Sequence, residues 1–253
     1  MTSRSHAWAS GSLARQIVGH FLTEWRRLPL AARKRWLATI AIGIAFMFGL
    51  MTLMVIIGKS LDTGGALAWE PNFLRSLEKR VFSFSSAVWF QTFGTDITLW
   101  FILLMTVGLS AWRGRPLTAL SIVLAYAVVD VVVRYGWASW DRVRPDIIAQ
   151  GLARPGFHSF PSGHTGKTIC IYGLLGYVWM RASHSWIERF IVFAIVLGIG
   201  LVVPLGRLRM GVHWPSDIAG GYILGLAWLF ILIWALRNER PILKDKIPQD
   251  PED

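Results

Sequence analysis

Residues 36–58 read WLATIAIGIAFMFGLMTLMVIIG, 23 residues without a charge. As a helix that run is long enough to cross the roughly 30 Å of bilayer hydrocarbon. Hydrocarbon offers no hydrogen-bond partners, so the backbone must satisfy itself within the segment, and an unbroken apolar run selects a helix over the alternating pattern of a membrane strand. Five further stretches lie at about Thr95–Trp112, Leu117–Arg134, Gly163–Met180, Ile187–Leu205 and Asp217–Leu236. They predict an all-α fold, a polytopic membrane bundle of six transmembrane helices. Composition agrees, with 54% hydrophobic residues against 16% charged. The first run is too long for the apolar core of a cleaved signal, so it reads as a retained span. Cys170 is the single cysteine, which excludes an intrachain disulfide framework.

A formal net charge of +11 raises nucleic acid as a partner, but the basic residues gather where loops meet the bilayer. Before the first span stand Arg4, Arg15, Arg26, Arg27, Arg33, Lys34 and Arg35 against Glu24. By the positive-inside rule this end is cytoplasmic, and six spans return the C-terminus to the same side. The organisation expected is therefore a basic amphipathic segment at 1–35, with Leu13, Ile17, Phe21 and Trp25 every four residues, a membrane domain at 36–236 and a charged tail at 237–253. EPNFLRSLEKRVF, between the first two spans, has the alternation of a short interfacial helix. The loops expected outside nonetheless carry Arg134, Arg142, Arg144, Arg154, Arg207 and Arg209. Cations on the translocated side point to a bound anion.

Three segments at the outer ends of spans carry the chemistry: RVRPD at 142–146, FPSGHT at 160–165 and GRLRMGVHWPSD at 206–217. GHTGKT resembles the end of a phosphate-binding P-loop, but Pro161 stands where its first glycine belongs, and TICIYGLLGYVW at 168–179 continues as a membrane helix. Arginine presents a planar, permanently charged fork to phosphate, which assigns Arg144 and Arg207 to the anion. Ser162 and the amides of Gly163 and His164 open the fourth helix, whose unpaired N–H groups favour negative charge. His213 and His164 fit a nucleophile and a proton donor. Asp217, four residues after His213, can reach back and fix the imidazole. Lys167, one turn into that helix, either snorkels to the interface or adds to the phosphate field.

These residues resemble the type 2 phosphatidic acid phosphatases, membrane lipid phosphatases whose site is shared with vanadium haloperoxidases. The family pattern is K-x6-R-P, P-S-G-H and S-R-x5-H-x3-D. Arg144-Pro145, Pro161 to His164, and Arg207, His213 and Asp217 match it, over about Thr95–Leu236. Two positions depart: the family lysine is Trp137 and the family serine is Gly206. Arg134 or Arg142 is a candidate substitute cation; for Arg134 the competing reading is an ion pair with Asp130.

The resemblance implies a hydrolase acting on a lipid phosphate without metal or other cofactor, through a phosphohistidine on His213, at the outer face of a bacterial plasma membrane, and with no nucleic acid partner. The substrate is a phosphomonoester or diphosphate of phosphatidic acid, phosphatidylglycerol phosphate, polyprenyl or lipid A type. A lipid phosphotransferase and a catalytically silent lipid-binding or transport protein are the alternatives.

Overall fold

The computed structural model describes residues 13–80, 82–148 and 158–238. The charged tail and Arg4 and Arg154 lie outside the described residues, apart from the first two residues of the tail. Among the described residues the chain forms nine α-helices: α1 Leu13–Arg27, α2 Leu30–Thr63, α3 Glu70–Arg80, α4 Phe84–Gln91, α5 Asp96–Trp112, α6 Pro116–Ser139, α7 Gly163–Ala182, α8 Trp186–Arg209 and α9 Pro215–Asn238. A 3₁₀ turn, Thr92–Gly94, joins α4 to α5.

Among the described residues, five stretches are long and apolar enough to cross a membrane: α2, the α4–α5 stretch Phe84–Trp112, α6, α8 and Pro215–Arg237 of α9. The molecule is an integral membrane protein with side chains such as Ile42, Ile97, Phe101 and Phe190 turned outward. The fourth expected span is α7. It has the length, 20 residues, but opens with GHTGKT, and it is enclosed by α6, α8 and α9. A helix wrapped by other helices has no need of a lipid-compatible surface. Two boundaries also move. The second span begins eleven residues earlier than Thr95, with a break at the 3₁₀ turn. The first starts at Leu30, so Arg33, Lys34 and Arg35 belong to its first turns rather than to a separate segment. The amphipathic segment is α1, with Ile17, Phe21 and Trp25 half-buried, packed on α5 and α6.

What positions the site is the seam between α7 and α9. A Cβ on Gly221 would lie 2.7 Å from the Ser162 carbonyl oxygen, and one on Gly225 2.7 Å from that of Gly166. Only glycine lets the two backbones approach so closely, a packing mode typical of membrane helices. The approach continues beyond the helices, where the Ser162 amide donates to the Asp217 carbonyl at 3.0 Å. Deeper in the bundle, Trp228 is fully buried and its indole donates to the Leu124 carbonyl at 2.8 Å. At one end the α5–α6 turn carries Arg113 and Arg115, the last turn of α7 Arg181 and the first turn of α8 Arg189, with Arg26 and Arg27 of α1 beside the α5–α6 turn. The three motif segments meet at the other.

Candidate active site

Asp217, in the first turn of α9, is fully buried. Its Oδ2 accepts from the Trp214 amide at 2.7 Å and from the Ser159 hydroxyl, and its Oδ1 accepts from Arg142 at 2.7 Å. The His213 Nδ1 lies 3.5 Å from Oδ2, at the outer edge of hydrogen-bond reach, and has no better-aligned partner among the described residues. This leaves Nε2 of His213 as the nitrogen directed away from the carboxylate. His213 is 1% exposed, and burial pushes its imidazole down to about 4, against the pull of Asp217.

Arg207, in the last turn of α8, is buried. One Nη donates to Gln91 Oε1 at 2.6 Å, while Nε has no partner among the described residues and remains a donor for an anion. A loop position is expected for Arg207 from the sequence; the helix instead runs on through it. Arg144 is tied to two carbonyls, Val212 at 3.0 Å and His158 at 3.3 Å, and its burial lowers the guanidinium from its ordinary value. Ser162 caps α7, its Oγ accepting from the Thr165 hydroxyl at 3.0 Å and, more loosely, from the Thr165 amide at 3.5 Å. Gly163 opens the helix against Val133, which a Cβ would meet at 3.2 Å. His164 is next on the same turn, within electrostatic reach of Arg207, His213, Lys167 and Arg144. Two imidazoles and two guanidinium groups from three segments thus converge at one end of the bundle.

Two expected cations do not join them. Arg134 is 67% exposed and pairs with Asp130 at 2.7 Å, four residues away on α6. Arg142 is near the site, but its fork is spent on carboxylates, Glu70 at 2.6 Å and Asp217 at 2.7 Å, and so is turned away from any phosphate. Lys167 pairs with Asp96 and, at 3.2 Å, with Asp130, so it neither snorkels nor points freely into the site. The two departures from the family pattern have structural reasons. Trp137 walls the PSGH turn, donating to the Pro161 carbonyl at 3.2 Å and stacking on His158 at 5.6 Å. Gly206 faces α4, where a Cβ would meet the Ala87 carbonyl at 3.0 Å, so a serine there would crowd the helix that delivers Gln91.

Sequence reasoning misses Glu70, Ser159, Gln91 and Ser216. Ser159 adjoins a motif, which is a usable signal; a lone glutamate and a lone glutamine in distant helices carry none.

The PAP2 superfamily model matches residues 117–241. Those residues, just under half of the chain, belong to the PAP2 superfamily. Among curated proteins, this PAP2 chain is 32% identical over 93 residues to phosphatidylglycerophosphatase B of Bacillus subtilis, covering 36% of this chain and 45% of that protein. It is 31% identical over 93 residues to undecaprenyl-diphosphatase of Sulfolobus acidocaldarius, covering 36% of this chain and 39% of that one. It is 38% identical over 88 residues to decaprenylphosphoryl-5-phosphoribose phosphatase of Mycobacterium tuberculosis, covering 33% and 42%. Each aligned stretch spans less than half of the relative. Among solved structures, the transmembrane PAP2-type phosphatidylglycerolphosphate phosphatase of Bacillus subtilis shares the fold, with a TM-score of 0.62 at 19% identity over 81% of this chain and 98% of that one. LpxE of Aquifex aeolicus aligns with a TM-score of 0.50 at 22% identity over 66% of this chain and 93% of that one.

Proposed function

We propose that this PAP2 protein hydrolyses a lipid phosphomonoester or diphosphate through a phosphohistidine intermediate. The observation that carries the reading is the meeting of His164, His213, Arg144 and Arg207 at one end of the bundle, with Asp217 buried behind His213. His213 Nε2 attacks phosphorus in line. Arg144, Arg207 and the amides at the start of α7 hold the equatorial oxygens, and His164 protonates the departing oxygen as the bond from phosphorus to it breaks. His164, now neutral, takes a proton from water, whose hydroxide attacks the phosphohistidine and frees His213 and inorganic phosphate. Positioning and charge stabilisation dominate phosphoryl transfer, and here the fixed guanidinium groups supply both. The low proton affinity of the His213 imidazole suits it to this role, because only the neutral ring is a nucleophile.

The acceptor is water and the substrate an amphiphile, its head at the site and its tails in the bilayer. Phosphatidic acid, phosphatidylglycerol phosphate, polyprenyl diphosphate and lipid A phosphate share that chemistry. In this reading α7 completes six spans, both termini are cytoplasmic, and the site opens on the extracytoplasmic side of a bacterial plasma membrane, opposite the arginine-rich end.

The test is phosphate release by the purified protein on these four lipid classes, beside His213→Ala. The variant is expected to lose at least about 1,000-fold in kcat, since the nucleophile has no substitute. Unchanged turnover in the variant would overturn the mechanism, and a wild type inert on every class would overturn the activity. EDTA is expected to leave the rate intact.

A further inference from the structure

Behind Asp217 lies a buried layer of charge that the phosphatase reading does not use. Arg142 is 6% exposed and lies between the rings of Trp140 and Trp214, 5.1 and 5.6 Å from their centroids. One Nη donates to Asp217 Oδ1 and to the Ser216 hydroxyl, each at 2.7 Å. The other donates at 2.6 Å to Oε2 of Glu70, which is 1% exposed on α3. The second oxygen of Glu70 accepts from the Ser216 amide at 2.7 Å, one residue before Asp217. Glu70 thus grips the start of α9 twice, through Arg142 and through the backbone. It also lies outside residues 117–241, in a helix that none of the family motifs includes.

Charge explains why a glutamate is needed there. Arg142 bonded to Asp217 alone would cancel the carboxylate that faces His213. Two carboxylates and one guanidinium leave one net negative charge in the buried trio. That charge remains available to a ring that becomes cationic when it is phosphorylated. Resting on the phosphatase reading, we infer that Glu70, acting through Arg142, is a positioning residue that sets the negative charge Asp217 presents to His213.

The experiment measures kcat and KM for phosphate release on the best of the four lipid classes, with wild type, Glu70→Gln and the double variant Glu70→Gln/Arg142→Gln. Tryptophan fluorescence on heating confirms that each is folded. Glu70→Gln keeps the side-chain size and makes the trio neutral, its single amide oxygen retaining one of the two contacts, to Arg142 or to the Ser216 amide, and kcat is expected to fall by at least about tenfold with KM within about twofold. The double variant leaves Asp217 as the sole charge, and its kcat is expected to rise above that of Glu70→Gln. A purely structural Glu70 would cost thermal stability without moving kcat per folded molecule, and that result overturns the inference. So does a double variant no faster than the single. If Glu70→Gln does not fold, Arg142→Lys carries the test. Its single ammonium cannot span both carboxylates, so an unchanged kcat there also overturns the inference. A wild type without turnover removes the phosphatase reading and this inference together, whereas an active wild type matched by Glu70→Gln removes only the inference.

Discussion

Two polar clusters flank the first turns of α7, one around Asp217 and one around Lys167. In the first, Glu70, Arg142, Ser159 and Asp217 are all buried, and every carboxylate oxygen has a donor or cationic partner. In the second, Lys167 is buried, but its partners Asp130 and Asp96 have side chains 19% and 53% exposed, and Arg134 beyond them is 67% exposed. Tyr126 adds a hydroxyl to Asp96 at 3.2 Å and a ring beneath the ammonium. Both sets mix acids and bases from separate helices, so sequence charge alone would class them together. What separates them is access to water. A sealed cluster fixes geometry because no solvent can replace a lost partner, while an open one tolerates loss because solvent can.

The largest effect that separates them is expected from Arg142→Met. Methionine keeps apolar bulk between the two tryptophans but strands Glu70 and Asp217 as unpaired buried acids. Breaking a buried pair in this way costs about 3–5 kcal/mol, read as a lowered unfolding midpoint in detergent. A loss below about 1 kcal/mol would place this cluster with solvated ion pairs and dissolve the comparison.

The next effect tests how far the sealed region extends. His213 is pushed down to about 4 by burial, against an ordinary imidazole near 6.5. A folded value below the unfolded one means that unfolding takes up a proton between about 4 and 6.5, so this group makes stability fall as pH drops through that window. Catalytically the sign is the opposite of a limitation, since the ring stays neutral and nucleophilic well below neutrality. Once the phosphate ionisation of the substrate is divided out, the acid limb that His213 contributes to kcat/KM is expected nearer pH 4 than 6.5. A limb at the ordinary histidine value would show that water reaches His213.

Lys167→Met should cost less than Arg142→Met. It removes charge-assisted bonds to Asp96 and Asp130, worth about 1.5–3 kcal/mol, but both acids can recruit water. The same detergent melts measure it, and a loss equal to that of Arg142→Met would erase the distinction.

Much of this is legible in the sequence, and the reason differs from part to part. Apolar runs announce spans because the bilayer acts on each residue independently, so α2, α6, α8 and α9 can be read directly. The α4–α5 break cannot, because a 3₁₀ turn at Thr92–Gly94 depends on packing rather than on composition. His164, His213, Asp217, Arg144 and Arg207 stand out because phosphate chemistry limits the residue types and their spacing. Arg142 stands out by its charge, which suggests phosphate, since nothing local reveals that Glu70, 72 residues earlier, occupies its fork. Long-range pairing of this kind is written in the packing of α3 on the end of the bundle, and the sequence pattern carries no trace of it.

The smallest effect belongs to Arg134, and it sharpens the comparison from the opposite side. Its pair with Asp130 has good geometry, at 2.7 Å and i,i+4 on one helix, yet the guanidinium is two-thirds exposed. Exposed helical pairs contribute about 0.5 kcal/mol or less, and Asp130 keeps Lys167 when Arg134 is removed. Arg134→Ala is therefore expected to leave the unfolding midpoint nearly unchanged and phosphate release at the wild-type rate. A large fall in kcat with an unchanged melt would restore Arg134 as a substitute for the family lysine. The open cluster would then be part of the phosphate site rather than its neighbour.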